Sequence, residues 1–258
     1  MLTDQEKQKF IDESVLPNFR HLIDSNIYSV IFDFNYKIVI GTNLSVISVG
    51  CNTLEEMQGW SFANYANEEL AQQIFGEHYT PQSQEYIHQY AEKIFRVQQR
   101  VFNEKSVISF LDLLPYDGLL KFYIVMYVPV LHPSGEVVAI QSFATRTKLF
   151  SHQDYFNQLS YNQQPIMETL PSLTFREQEI MFLLAYGFTQ EEMSQILKVH
   201  RSTIASIIAN QLSVKFGLAG GNTKALSQKA VQHNYHKTIP SSLYRPHIIV
   251  LNEDIKDM

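Results

Sequence analysis

The pattern of apolar and polar positions changes character once along the chain. From Asn26, NIYSVIFDFNYKIVIGTN gives two runs rich in β-branched and aromatic residues, broken at Asn35-Tyr36, which predicts a hairpin. The stretch from Leu44 to about Arg100 is helical or irregular, and in PQSQEYIHQYAEKIFRVQQRVF the residues Tyr86, Tyr90, Ile94 and Val97 recur at helix spacing. Strands then return as VISFLDLL, KFYIVMYVPVL and EVVAIQSFATR, with Tyr116-Asp117-Gly118 and His132-Pro133-Ser134-Gly135 as turn signals. Two strands, a helical middle and three antiparallel strands predict an α+β domain. In FYIVMYVPV both parities are apolar, so both faces of the sheet should be covered, one by the domain's own helices and the other by a helix or a second subunit. The interior is then either a core filled by aromatics or one that encloses an apolar pocket.

After the third of these strands the β signal stops. Residues 149 to 170, with FNQLSYNQQPIMET, are rich in Gln and Asn and predict a linker; from Leu173 to about His233 the pattern is helical. Thr174 followed by Glu177, and Thr189 followed by Glu192, are two capping boxes, each opening a helix with an apolar stripe: Ile180, Leu183 and Leu184 in the first, Met193, Ile196 and Leu197 in the second. Gly187 stops the first, and the second ends near Lys198. A third helix begins at His200 to Ser202. At 100° per residue, Ile204, Ile207, Ile208 and Gln211 face inward with Leu212 at the edge, while Ser202, Ala205, Ser206, Ala209 and Ser213 face outward. Small side chains fill a face where Lys and Glu would ordinarily stand in water. The last residues, SSLYRPHIIVLNEDIKDM, form a tail with one short strand-like run.

Charge sharpens this picture. The chain of 258 residues carries a net −6, but residues 1–150 hold 11 Lys+Arg against 17 Asp+Glu, whereas residues 171–240 hold 7 against 4. The local excess, not the total, decides what is attracted, and it falls on the helical segment. A charged amino terminus, MLTDQEKQKF, an apolar run too short to span a bilayer (Phe122 to Leu131), and a single cysteine, Cys51, together predict a cytoplasmic protein with no membrane partner.

LTFREQEIMFLLAYGFTQEEMSQILKVHRSTIASI resembles the DNA-binding domain of LuxR-type (FixJ- or NarL-type) bacterial transcription regulators. Leu173, Thr174, Arg176, Glu177, Glu179, Leu183, Ala185, Gly187, Glu192, Ile196 or Leu197 and Thr203 stand at or near matching places, over roughly a quarter of the chain. The resemblance implies an all-α helix-turn-helix domain whose third helix enters the major groove. Arg201, Ser202, Ser206 and Asn210 are then candidates for base edges, and Thr189, Gln190, Lys198, Thr203 and Lys215 for phosphates. Two departures stand out. Ala205 and Ile207 occupy places where the family carries a basic residue and a histidine, and Lys215 and Gly217 arrive one residue late, which predicts an insertion within the third helix or at its end.

The segment IVIGTNLSVISVGCNTLEEMQGWSF, with Asn43, Gly50, Glu55-Glu56 and Gly59, resembles the start of a PAS domain, and the closing strands with HPSGE resemble its end; the similarity spans about residues 20 to 147. It implies a regulatory input, by a small-molecule ligand or through pairing, without naming it. The expected organisation is a PAS-like sensor and dimerisation domain (1–148), a linker (149–170), a helix-turn-helix domain (171–240) and a tail (241–258). Double-stranded DNA and a second copy of the chain are the expected partners. Adjacent carboxylates such as Glu191-Glu192 diverge on a helix, His233 and His236 lack further ligands nearby, and no phosphate loop or nucleophile motif occurs, so an enzyme, a metal site and a resident cofactor are not expected. The alternative is an interaction protein with a LuxR-like domain that no longer binds DNA and modulates another regulator.

Overall fold

The computed structural model describes residues 2–64, 68–76, 79–116, 119–147, 170–219 and 221–251, and the predicted linker 149–170 lies outside them but for Leu170. The chain divides into two compact units, residues 1–147 with 245–258, and residues 148–244. The first is the α+β PAS-like unit and the second the helical unit.

The PAS-like unit is built on a six-stranded antiparallel sheet in the order β2-β1-β5-β4-β3-β6. Its strands are β1 (Val30–Asp33), β2 (Ile38–Gly41), β3 (Ile108–Tyr116), β4 (Leu119–Leu131), β5 (Val137–Thr147) and β6 (His247–Val250). The predicted hairpin joins β1 and β2, with Tyr36 in the left-handed region (φ 62°) and the Asp33 carboxylate accepting from the backbone N–H of Asn35 and Lys37, both at 2.8 Å. The tail's strand-like run is β6, which pairs with β3 from Leu113↔His247 to Phe110↔Val250.

One face of the sheet is covered by the helices between β2 and β3, chiefly the 21-residue α helix Gln84–Glu104. Its Tyr90, Ile94 and Val97 are buried as their spacing predicts, but Tyr86 is 40% exposed, with the Arg245 guanidinium 4.4 Å over its ring. The other face is partly covered by the amino-terminal helical stretch from Asp4 to Leu22, where Ile11, Val15 and Phe19 pack on Ile31, Ile40 and Ala139. Further along that face Ile124 and Met126 remain 41% and 42% exposed.

The helical unit comprises Phe175–Ala185, Gln190–Leu197, Arg201–Ile207 continuing through Ile208–Leu212 to Lys215, and Thr223–Gln232, called α1 to α4 of that unit below. Ile180, Leu183, Met193, Ile196, Ile204, Ile208, Leu212, Leu226 and Ala230 are all buried, so every helix contributes a stripe to one interior.

Candidate nucleic-acid interface and ligand cavity

The helix-turn-helix is fixed at its ends by local chemistry. Thr174 and Thr189 each accept from the backbone N–H three residues on, at 3.3 and 3.2 Å, and Glu177 and Glu192 each accept in return from the threonine N–H at 2.7 Å. Gly187 takes φ 80° after α1, and Lys198 takes φ 53° after α2, turning the chain sharply into α3. The Thr189 hydroxyl is thus occupied by its cap. Thr189→Ala should cost about 1 kcal/mol of helical-unit stability, read from urea unfolding; a loss confined to DNA affinity would instead make that hydroxyl a phosphate contact.

Along α3, Arg201, Ser202, Thr203, Ser206 and Asn210 are exposed, and the Asn210 amide donates to the Ser206 hydroxyl at 3.2 Å. No acidic residue occurs between His200 and Gly221. The inward side departs from the even helical wheel. Gln211, expected inside, is exposed, and Ser213, expected outside, is 1% exposed. The cause is a π-helical turn at Ile208–Leu212, whose i→i+5 bonds admit one residue more than an α turn and rotate everything beyond it. This extra residue accounts for the late arrival of Lys215 and Gly217. It also buries the Ser213 hydroxyl without a partner.

The remaining sequence candidates are less free to meet a ligand. Gln190 donates to the Thr223 hydroxyl at 3.3 Å, tying α2 to the start of α4. Lys198 is exposed at the C-cap. Lys215 turns inward: its Nζ donates to Glu177 Oε2 at 2.7 Å and to the Ser172 carbonyl at 3.0 Å. Burial alone would raise the Glu177 carboxyl, but Lys215 and the Thr174 cap together hold it below the usual carboxylate range. Glu179 is also buried, paired with Arg176 at 2.9 Å and accepting from the Ser242 hydroxyl. Two of the segment's four acids are thus enclosed, each with a cation of the same segment, so the pairs leave its net positive balance unchanged.

In the PAS-like unit a cavity of about 210 Å³ lies among Phe32, Trp60, Phe62, Phe75 and Tyr90, with Asp112 in its wall. A dry cavity of about 150 Å³ holds one benzene, so this one suits a single substituted ring. A more polar cleft lined by Asn35, Lys37, Glu69 and Gln73 shares Trp60, Ser61, Asn64 and Leu70 with it. Asp112 is 8% exposed; its Oδ2 accepts from the Tyr90 hydroxyl at 3.0 Å, and its Oδ1 has no partner. Burial raises its pKa to about 7, with the Tyr90 bond pulling the other way. Sequence reading passed over this residue, although the signal was there: Asp112 stands in phase with the core residues Ile108 and Phe110 on a strand whose interior row is otherwise apolar. Cys51, by contrast, is buried with its thiol pKa raised by burial and by Glu56, as a structural thiol should be.

No family model matches the sequence, and no curated protein matches it. Among solved structures the chain is similar to the phage VqmA–DPO complex, with a TM-score of 0.51 and 19% identity over 95% of this chain and 99% of that one. It is similar in the same degree to VqmA bound to DPO and to the Vibrio cholerae VqmA dimer without target DNA, described as bearing on LuxR-type receptors; each gives a TM-score of 0.50 and 19% identity over 92% of this chain and 96% of the other. At such identity the likeness is one of fold, and it extends over nearly the whole of each chain.

Proposed function

We propose that the protein is a DNA-binding transcription regulator whose PAS-like unit takes up a small molecule and pairs with a second copy. The observation that carries this is the outward face of α3, where Arg201, Ser202 and Ser206 are exposed on a helix without acids. Small side chains let a helix approach base edges closely; serine can bond to bases or phosphates, and alanine can touch a thymine methyl. The fold shared with a phage VqmA–DPO complex and a V. cholerae VqmA dimer supports the same assignment, and the aromatic cavity supports a ligand of one ring. Exposed Ile124 and Met126 support pairing through the sheet face, since a two-fold dimer doubles the contacts that one such domain makes.

Retention on random duplex should fall steeply as salt rises, because each phosphate contact releases counterions. Arg201→Ala should weaken specific binding by roughly 1–3 kcal/mol while leaving the fold intact, measured by titration of a selected duplex. Footprinting with gel filtration tests the dimer; protection of one isolated half-site by a monomer would count against it.

The second reading, an interaction protein that no longer binds DNA, is favoured by the inward-turned Lys215 and by Ala205 and Ile207, which leave this helix short of cations. Indifference to duplex DNA at every salt concentration would select it.

A further inference from the structure

The cavity of the PAS-like unit is apolar on nearly all sides. Of the described residues around it, Trp60, Phe62, Phe75 and Tyr90 give aromatic walls, Ser61 and Asn64 stand where it meets the polar cleft, and Asp112 is the one that carries a charge. On its sheet Asp112 lies between Tyr123 of β4 and Ile248 of β6. Its Oδ2 takes the Tyr90 hydroxyl; among the described residues nothing donates to Oδ1, and no cation pairs with the carboxyl.

A buried acid that serves the fold alone is ordinarily satisfied by it. Two others in this chain are. Asp33 accepts from the backbone N–H of Asn35 and Lys37, and Glu177 is paired with Lys215. Asp112 has neither kind of partner, and it borders about 210 Å³ of unfilled space.

We propose, taking the small-molecule reading above as the starting point, that this cavity accepts a single aromatic ring bearing a basic nitrogen, bound as the cation with an N–H donated to Asp112. The fold has already taken the carboxylate out of water, so a cation that meets it gains the pairing without that cost arising again. Aromatic faces attract the same charge, tryptophan most strongly. A neutral ring leaves the carboxylate unpaired, and a carboxylic acid sets a second anion beside it.

Four probes of nearly one size separate these cases: benzylamine, benzyl alcohol, toluene and benzoate. Trp60 is the only tryptophan of the chain and lines the cavity, so its fluorescence reports occupancy in the full-length protein. At pH 8 benzylamine is expected to bind wild type roughly tenfold or more tighter than toluene, with benzyl alcohol between them and no binding of benzoate. Asp112→Asn should remove the advantage of benzylamine and bind toluene as wild type does, which checks that its cavity is intact. An alkyl ammonium keeps its proton between pH 5 and 8, so the affinity of wild type for benzylamine should fall as pH falls through about 7 and the carboxyl takes up its proton, while that for toluene holds. The other titratable groups turned to Asp112, from the helix Gln84–Glu104 and from β4, are the hydroxyls of Tyr90, Tyr123 and Tyr127, and phenols as a class titrate far above this range. If another probe binds wild type as tightly as benzylamine, or Asp112→Asn keeps the preference, no cation is held by Asp112, and uptake of a small molecule stands without it. If none of the four binds, uptake by this cavity falls and takes this inference with it.

Discussion

Replacing Asp112 by asparagine is expected to stabilise the PAS-like unit by about 4 kcal/mol above pH 8 and to change little near pH 4. The carboxyl lies in an apolar cavity, has one hydroxyl donor and no cationic partner among the described residues, and has its pKa raised from 3.8 to about 7. Between those values the folded state holds a proton that the unfolded state has released. Stability therefore falls as pH rises through this window, and the full penalty stands above about pH 7, at 1.36 kcal/mol for each pKa unit. Asparagine keeps an acceptor for the Tyr90 hydroxyl but has no charge to bury, so the variant should lack this slope. Urea unfolding of both proteins across pH 4–8 measures the difference directly. A gap between them that does not widen with pH would show that Asp112 stays ionised in the fold or is reached by water. A molecule that donated to the unpartnered Oδ1 would offset the same penalty, so the slope should flatten in its presence.

What could be read from the sequence was what is local. A capping box needs one side chain and the backbone three residues away, so Thr174 with Glu177 and Thr189 with Glu192 announced two helices almost to the residue. Runs of β-branched residues announced the strands for the same reason. The misplaced residues all depend on something distant or on a break in period. Gln211 and Ser213 exchanged sides because a wheel of constant pitch cannot register the π turn at Ile208–Leu212, even though an insertion there was expected. Tyr86 lies in phase with a buried stripe but is 40% exposed under Arg245, more than 150 residues later in the chain. The strand-like run at His247–Val250 was visible, but its partner β3 lies far back in the sequence, and no local pattern names a partner. The base-edge candidates on α3 did fall on one exposed side up to Asn210, because they precede the end of the π turn or lie within it. The cavity was the least legible feature, since an aromatic-rich interior reads the same whether filled or hollow.

Lys215 gives the sharpest test of how the helical unit is held, because sequence position assigned it to a phosphate and its geometry ties it to the core. Its partner Glu177 is 2% exposed at the side chain, while Lys215 itself is 33% exposed. Lys215→Met should therefore lower helical-unit stability by about 3 kcal/mol at pH 7, since it leaves a buried carboxylate with only its Thr174 cap. The double variant Glu177→Gln with Lys215→Met should recover much of that loss, the charge having gone with its partner. The acid limb carries the sign. Glu177's pKa is lowered in the fold, so the stability it contributes is present above the ordinary carboxylate range and is lost as pH falls through the lowered value. Without Lys215, burial prevails and the carboxyl takes up its proton at higher pH, so wild type and Lys215→Met should converge as the solution is acidified below about pH 4. The salt dependence of DNA binding separates the two roles independently of stability. A core lysine leaves the slope of log Kd against log salt unchanged, whereas a phosphate contact removes about 0.9 from it. A reduced slope together with unaltered unfolding would return Lys215 to the DNA surface and leave Glu177 to be stabilised by its cap alone.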